Sequence, residues 1–245
     1  MLFRSRVGGE LAAAIVEPIY YNAGCIIPIP EFVQSLRKLT ERYGTVLVFD
    51  EVLSAFRMGV GGAQEHLGII PDLCTLGKAV GGGYPLSVFG GRREIMDRLM
   101  PRGDCQHSGT YNDHPIVVAA SLAAVTAYCQ PRFYEHIHSV SKQLLAGLRG
   151  LFERHHVTAR VQCLGARFGI YFGIRPDQEI TNFEEAQRHD RAMLMRFYAL
   201  AIKHGVYFHD YGGAPCHHGF CAAMTADDAN ETLRRLDRAV EELAI

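Results

Sequence analysis

Two short apolar runs joined by a helix-forming stretch constrain this chain most. Leu11–Val16 (LAAAIV) and Thr45–Phe49 (TVLVF) are apolar without alternation, the pattern of short strands buried on both faces. Between them Phe32, Leu36, Leu39 and Tyr43 recur at helical spacing, Pro30 precedes the run and Gly44 closes it. Strand, helix and strand in so short a span form a βαβ unit, and parallel neighbours need such a crossover. Leu73–Leu76 and Leu86–Phe89 are further strand candidates, and Pro115–Cys129 is an apolar helix followed by Pro131.

Beyond residue 130 the pattern changes. Phe133–His155 reads as an amphipathic helix, and Arg160–Leu164 with Arg167–Phe172 as a hairpin around Gly165. Phe183–His204 reads as one long helix, Val206–Phe208 and Phe220–Met224 as short strands, and Ala226–Leu243 as a charged terminal helix. The expected fold class is α/β. A large domain with a mainly parallel sheet covers residues 1–130, and an α+β small domain covers 131–245.

Composition excludes some functions. The net charge of −1 over 245 residues gives no electrostatic case for nucleic acid or an anionic membrane. No apolar run approaches the ~20 residues of a membrane span. The seven cysteines are odd in number and form no C-x-x-C pair, so neither a disulfide framework nor a metal site is expected and the setting is read as the reducing cytoplasm. The opening MLFRS lacks turn or cap logic. Leu2–Ser5 is also what the end of a sequencing adapter encodes. The first five residues are therefore expected to be foreign, and a longer protein to have lost its front half.

The run LVFDEV (47–52) closes on Asp50, and TLGKAVGGG (75–83) contains Lys78. Functional groups collect at the carboxyl ends of strands in open α/β sheets. Alone, Asp50 could cap the next segment and Lys78 could be a solvated loop lysine. Glycines on both sides of Lys78 favour close approach of a bound group instead. A lysine in such a crevice becomes nucleophilic. A buried carboxylate and a reactive amine together suit pyridoxal phosphate: the lysine forms a Schiff base with the aldehyde, and the carboxylate keeps the ring nitrogen protonated.

VEP (16–18), FDEV (49–52), residues 61–97 and HSGTYNDHP (107–115) resemble the class III aminotransferases of the fold type I pyridoxal-phosphate enzymes. Within that family the likeness is to glutamate-1-semialdehyde 2,1-aminomutases and β-amino-acid transaminases, and it covers nearly the whole chain. It implies that residues 1–130 are the C-terminal part of the cofactor-binding large domain and 131–245 the small domain. It further implies Lys78 as the catalytic, cofactor-bonded lysine and proton carrier, Asp50 at the ring nitrogen and Val52 against the ring face. Gly109 and Thr110 would bind the cofactor phosphate across a homodimer interface. Glu17, Asn22, His217 and His218 fall where the family builds its substrate pocket. The implied partners are a small amino donor and a keto acid.

Two departures stand out. The family's front half, with its phosphate-binding turn and ring-stacking aromatic, has no counterpart before Leu11, so this polypeptide is expected to be poorly active or inactive alone. The family's aminomutases carry a glutamate shortly before the matching Gly-Phe and small residues before the asparagine. Here Cys216-His217-His218 precedes Gly219-Phe220, and Tyr20-Tyr21 precedes Asn22. The expected activity is therefore amino transfer, with glutamate-1-semialdehyde aminomutase as the alternative and a non-catalytic dimerising remnant as a third reading.

Overall fold

The computed structural model describes residues 10–245; the five residues expected to be foreign lie outside that range. The chain divides into two compact units, one of residues up to Pro18 with Ile29–Gln130, the other of Ile19–Pro28 with Pro131–Ile245.

The first unit is a four-stranded sheet. Its elements are β1 (Ala13–Val16), α1 (Pro30–Tyr43), β2 (Val46–Glu51), α2 (Gly62–Leu67), β3 (Leu73–Leu76), a 3-10 turn at Lys78–Gly81, β4 (Val88–Gly91), α3 (Arg93–Met96) and α4 (Pro115–Tyr128). The sheet order is β1-β2-β3-β4. The first three strands are parallel, and β4 returns antiparallel to β3. Helix α1 starts at Pro30 and stops at Gly44, whose φ of 66° suits glycine. Strand β2 buries Leu47, Phe49 and Glu51 and leaves Val46, Val48 and Asp50 half-buried. Val33, Leu47, Phe49 and Ile69 form the core on that side, with Val16, Leu36 and Cys74 packed against it.

Two buried carboxylates organise this unit. Asp72 accepts from the Leu47 amide at 2.8 Å, from Arg37 at 2.9 Å and from Arg92 at 3.1 Å. Burial pushes its pKa up, but these three donors outweigh that and hold it below the usual carboxylate value. Glu51 accepts from Ser54 at 3.0 Å, the Ala63 amide at 2.7 Å and Gln64 at 2.8 Å, so it joins β2 to the start of α2.

The second unit contains α5 (Phe133–Arg154), β5 (Ala159–Leu164), β6 (Arg167–Phe172), α6 (Phe183–Ala186), α7 (Arg191–Lys203), β7 (His218–Gly219) and α8 (Ala226–Leu243). Its sheet, β5-β6-β7, is antiparallel. The core includes Leu148, Phe152, Val161, Phe172, Phe197, Leu236 and Val240. Phe172 lies 5.3 Å from both Phe152 and Phe197, in the tilted and edge-on contacts aromatic rings prefer.

Three expectations change here. The helix expected over Phe183–His204 is two helices, because Asp190 caps the second by accepting from the Met193 amide at 2.9 Å while its own amide bonds Phe172 O. The strands expected at Val206–Phe208 and Phe220–Met224 are not formed; the strand in this region is His218–Gly219, paired with Phe168 and Arg167. Residues 19–28, inside the range expected for the first domain, group with the second unit. There the Tyr171 hydroxyl accepts from the Cys25 amide at 2.9 Å and donates to Ala23 O at 3.1 Å. The Gln162 amide donates to Cys25 O at 2.6 Å and to Ile180 O at 2.7 Å. Gly24, at φ 103°, admits this approach, since a Cβ there would overlap the Tyr171 hydroxyl.

Candidate active site

The register of β2 on β3 places Asp50 opposite Thr75 and Glu51 opposite Leu76. Both strands run the same way, so their carboxyl ends lie side by side. Asp50 Oδ1 accepts from the Thr75 hydroxyl at 3.2 Å and from the Val52 amide at 3.0 Å. Those two donors fix the carboxylate's orientation. No described residue bonds Oδ2.

Lys78 follows Thr75 by three residues at the same end of β3. It is exposed, and its ammonium has no hydrogen-bond or ion-pair partner among the described residues. Its φ is 48°, a left-handed conformation that costs a non-glycine residue of order 1–3 kcal/mol and persists where surrounding contacts impose it. Those contacts are visible. The Tyr128 hydroxyl donates to Ala79 O at 2.9 Å. Gly82, at φ 58°, lies so close to α4 that a Cβ would come within 2.8 Å of Ala124 and 3.0 Å of Ala120 O. The small residues of α4 thus permit the turn that presents Lys78. A Cβ on Gly77 would lie 3.1 Å from Val52 Cγ1, so the Val52 side chain stands beside the residue preceding Lys78.

The structure brings Asp50, Val52 and Lys78 to one strand-end edge. Gly109 and Thr110 lie in an exposed loop before α4, and no contact among the described residues joins them to Asp50 or Lys78. Glu17 follows β1 in the first unit and is half-buried. Asn22 and His217 belong to the second unit. Asn22 is exposed, and His217 shares a hydrogen bond between its Nδ1 and Tyr21 O at 3.0 Å. His218, expected beside His217 as a substrate-pocket residue, is turned into the core of that unit, where its Nε2 shares a 2.8 Å hydrogen bond with the Tyr198 hydroxyl. Successive strand residues face opposite ways, and β7 contains only His218 and Gly219.

Thr75 escaped the sequence reading. Its signal was its place three residues before Lys78, on a strand that pairs with the one ending in Asp50.

A model of the class III aminotransferases matches residues 2–240. The chain belongs to the class III aminotransferase family. It is 42% identical over 240 residues to a glutamate-1-semialdehyde 2,1-aminomutase of Pyrobaculum neutrophilum, a match covering 97% of this chain and 55% of that protein. An omega-transaminase from Sphaerobacter thermophilus superposes with a TM-score of 0.85 at 27% identity, over 96% of this chain and 52% of the other. The FumI protein of Sphingopyxis sp. MTA144, solved in its PLP internal aldimine form, superposes with a TM-score of 0.83 at 26% identity, over 98% of this chain and 54% of the other. This class III aminotransferase chain therefore spans about half the length of the relatives it matches, and its α/β fold is that of the fold type I transaminases.

Proposed function

We propose that the protein is a pyridoxal-phosphate-dependent aminotransferase, moving an amino group between an amino acid or amine and a keto acid. The observation that carries this is the strand-end pair: a carboxylate oriented by Thr75 and Val52, and an unpaired lysine held on strained backbone at the neighbouring strand's end. These residues fit the cofactor. Asp50 keeps one oxygen open to a ring N–H, and Lys78 offers an amine with no competing carboxylate. Lys78 would hold the cofactor covalently, Asp50 would hold its ring-nitrogen proton, and Val52 would exclude water from one ring face. Bound there, the cofactor supplies an electron sink for the substrate's α-carbon electrons. Lys78 would take the α-proton and return it as general base and acid.

The test uses the protein translated from its full coding sequence. Borohydride treatment should fix one cofactor per chain on the peptide containing Lys78, and an amine with pyruvate or 2-oxoglutarate should give the transferred product. A folded preparation that takes up no cofactor sinks the reading.

The 42% identity to an aminomutase favours a second reading, glutamate-1-semialdehyde 2,1-aminomutase. Conversion of glutamate semialdehyde without an added keto acid selects it. The working form is inferred to be a homodimer. Helix α4 is apolar along its length and buries none of its residues; Ile116 is 61% and Leu122 68% exposed. Such a face calls for a partner surface, and sedimentation of a fully loaded monomer would exclude this one.

A further inference from the structure

Two non-glycine residues of the first unit hold left-handed backbone beside the strand ends. Phe56, in the turn after β2, has φ 60°, and Lys78, in the turn after β3, has φ 48°. Such backbone costs free energy and persists only where neighbouring contacts impose it. One side chain touches both turns. The Tyr128 ring, in the last turn of α4, lies 5.3 Å from the Phe56 ring in a tilted contact. Its hydroxyl donates to Ala79 O at 2.9 Å.

The sequence of α4 builds this brace. Ala120, Ala124 and Tyr128 recur every four residues and so share one face of the helix. The two alanines leave room for Gly82, and the tyrosine at the end of that face reaches Ala79 O. The same carbonyl accepts from the Gly82 amide at 3.1 Å. Both of its lone pairs are thus used, one from within the turn and one from α4. The turn's other bond, from the Val80 amide to Gly77 O, is 3.2 Å, at the long end for an amide donor. Two long amide bonds close strained backbone weakly, and the hydroxyl adds a tie from outside the turn. Ring packing alone does not call for that hydroxyl, since a phenylalanine ring would pack as well.

The consequence is geometric. Val52 meets the same turn at Gly77, where a Cβ would lie 3.1 Å from Val52 Cγ1. A reacting group displaced by about 1 Å costs on the order of a hundredfold in rate. We propose that Tyr128 is a positioning residue for Lys78: through Ala79 O it holds the 3-10 turn closed and the lysine amine in place, and through Phe56 it ties that turn to the one after β2. The proposal rests on the aminotransferase reading, in which Lys78 carries the α-proton.

The test uses the protein translated from its full coding sequence and loaded with pyridoxal phosphate. Tyr128→Phe keeps the ring and removes the hydroxyl. It should lower kcat for amino transfer from an amine to pyruvate by about tenfold or more, while KM for the amine stays within about twofold. Borohydride should still fix one cofactor on the peptide containing Lys78. In the cofactor-free chain, hydrogen-exchange protection should fall about fivefold at the Val80 and Gly82 amides and hold at the Leu47 amide of β2. Should Tyr128→Phe fail to fold by circular dichroism, Ala124→Val, which wedges the turn away from α4 beside Gly82, should give the same split between kcat and KM and the same local loss. An unchanged kcat, a KM that moves as far as kcat, unchanged protection at Val80 and Gly82, or equal loss at Leu47 overturns the proposal and leaves the aminotransferase reading standing. A parent chain on which borohydride fixes no cofactor sinks that reading, and the proposal with it.

Discussion

The two units differ in how far each satisfies itself. The second closes a core of leucines and phenylalanines between an antiparallel sheet and long helices, and its last helix opens on a capping box between Thr225 and Asp228. The first packs one side of its sheet. On the other side Ile15, which pairs with Val48, is 67% exposed and Phe89 is 38% exposed, and α4 buries none of its residues. Yet the first unit carries Asp50 and Lys78. Packing is thus concentrated in one unit and the strand-end pair of Asp50 and Lys78 lies in the other.

The largest effect is expected at Lys78. Lys78→Ala should lower amino transfer by about ten-thousandfold, the upper range for a lost general acid–base. Lys78→Gly should do the same while raising the melting free energy by about 1 kcal/mol, because glycine adopts the φ of 48° without strain. A residue kept only for structure would show neither opposition nor activity loss. Activity after either change, measured with full cofactor, would place the chemistry elsewhere.

Packing comes next. Phe197→Ala removes a fully buried ring that touches Phe152, Phe172 and Phe208, and should cost about 3–5 kcal/mol in chemical denaturation. Ile15→Ser on the open sheet face should cost less than about 0.5 kcal/mol. Equal costs would mean that something covers the sheet face in solution, and the contrast between the units would dissolve.

These contrasts also explain what could be read in advance. The βαβ unit was legible because Phe32, Leu36 and Leu39 keep a helical period while β1 and β2 are continuously apolar. The glycines around Lys78 were legible as room for a bound group, but the 3-10 turn at Lys78–Gly81 was not. The strap at 19–28 was not legible. Its hydrogen bonds come from Gln162 and Tyr171, more than 130 residues away in sequence, and no local pattern announces a partner that distant. The split at Asp190 failed for a related reason: an aspartate within an apolar helical period reads as an exposed-face residue until its amide is seen bonded to Phe172 O. In the site, Asp50 and Lys78 announced themselves as charges ending apolar runs. Thr75 is an ordinary strand residue until register sets it opposite Asp50.

The strap gives the third prediction. Tyr171→Phe leaves the Cys25 amide and the Ala23 carbonyl without their shared hydroxyl. Two buried polar groups lose a partner, so about 1–3 kcal/mol should disappear. Amide exchange should speed at Cys25 more than at Leu148. Unchanged exchange at Cys25 would show that Gln162 alone secures the strap.

The smallest effect is a pH slope, and it separates the units most finely. His218, in the second unit, has its pKa pushed down to about 3 by burial and by nearby His217, His209 and Arg167. The unfolded chain takes up this proton near pH 6.5, whereas the folded one refuses it until much lower. The unfolded state therefore binds more protons throughout that window, and stability drops as the pH is lowered, by up to about 1.4 kcal/mol per unit. Asp72, in the first unit, is shifted below the ordinary carboxylate value. Its contribution is intact above that value and lost only as pH falls through the folded pKa. Between pH 7 and 5.5, then, the protection factors of core amides in α5, taken against the intrinsic exchange rate at each pH, should fall while that of the Leu47 amide, bonded to Asp72, holds steady. His218→Phe should flatten the first response and leave the second untouched. If both amides respond together in the wild type, the two units unfold as one cooperative body, and the division of packing from chemistry does not extend to their stability.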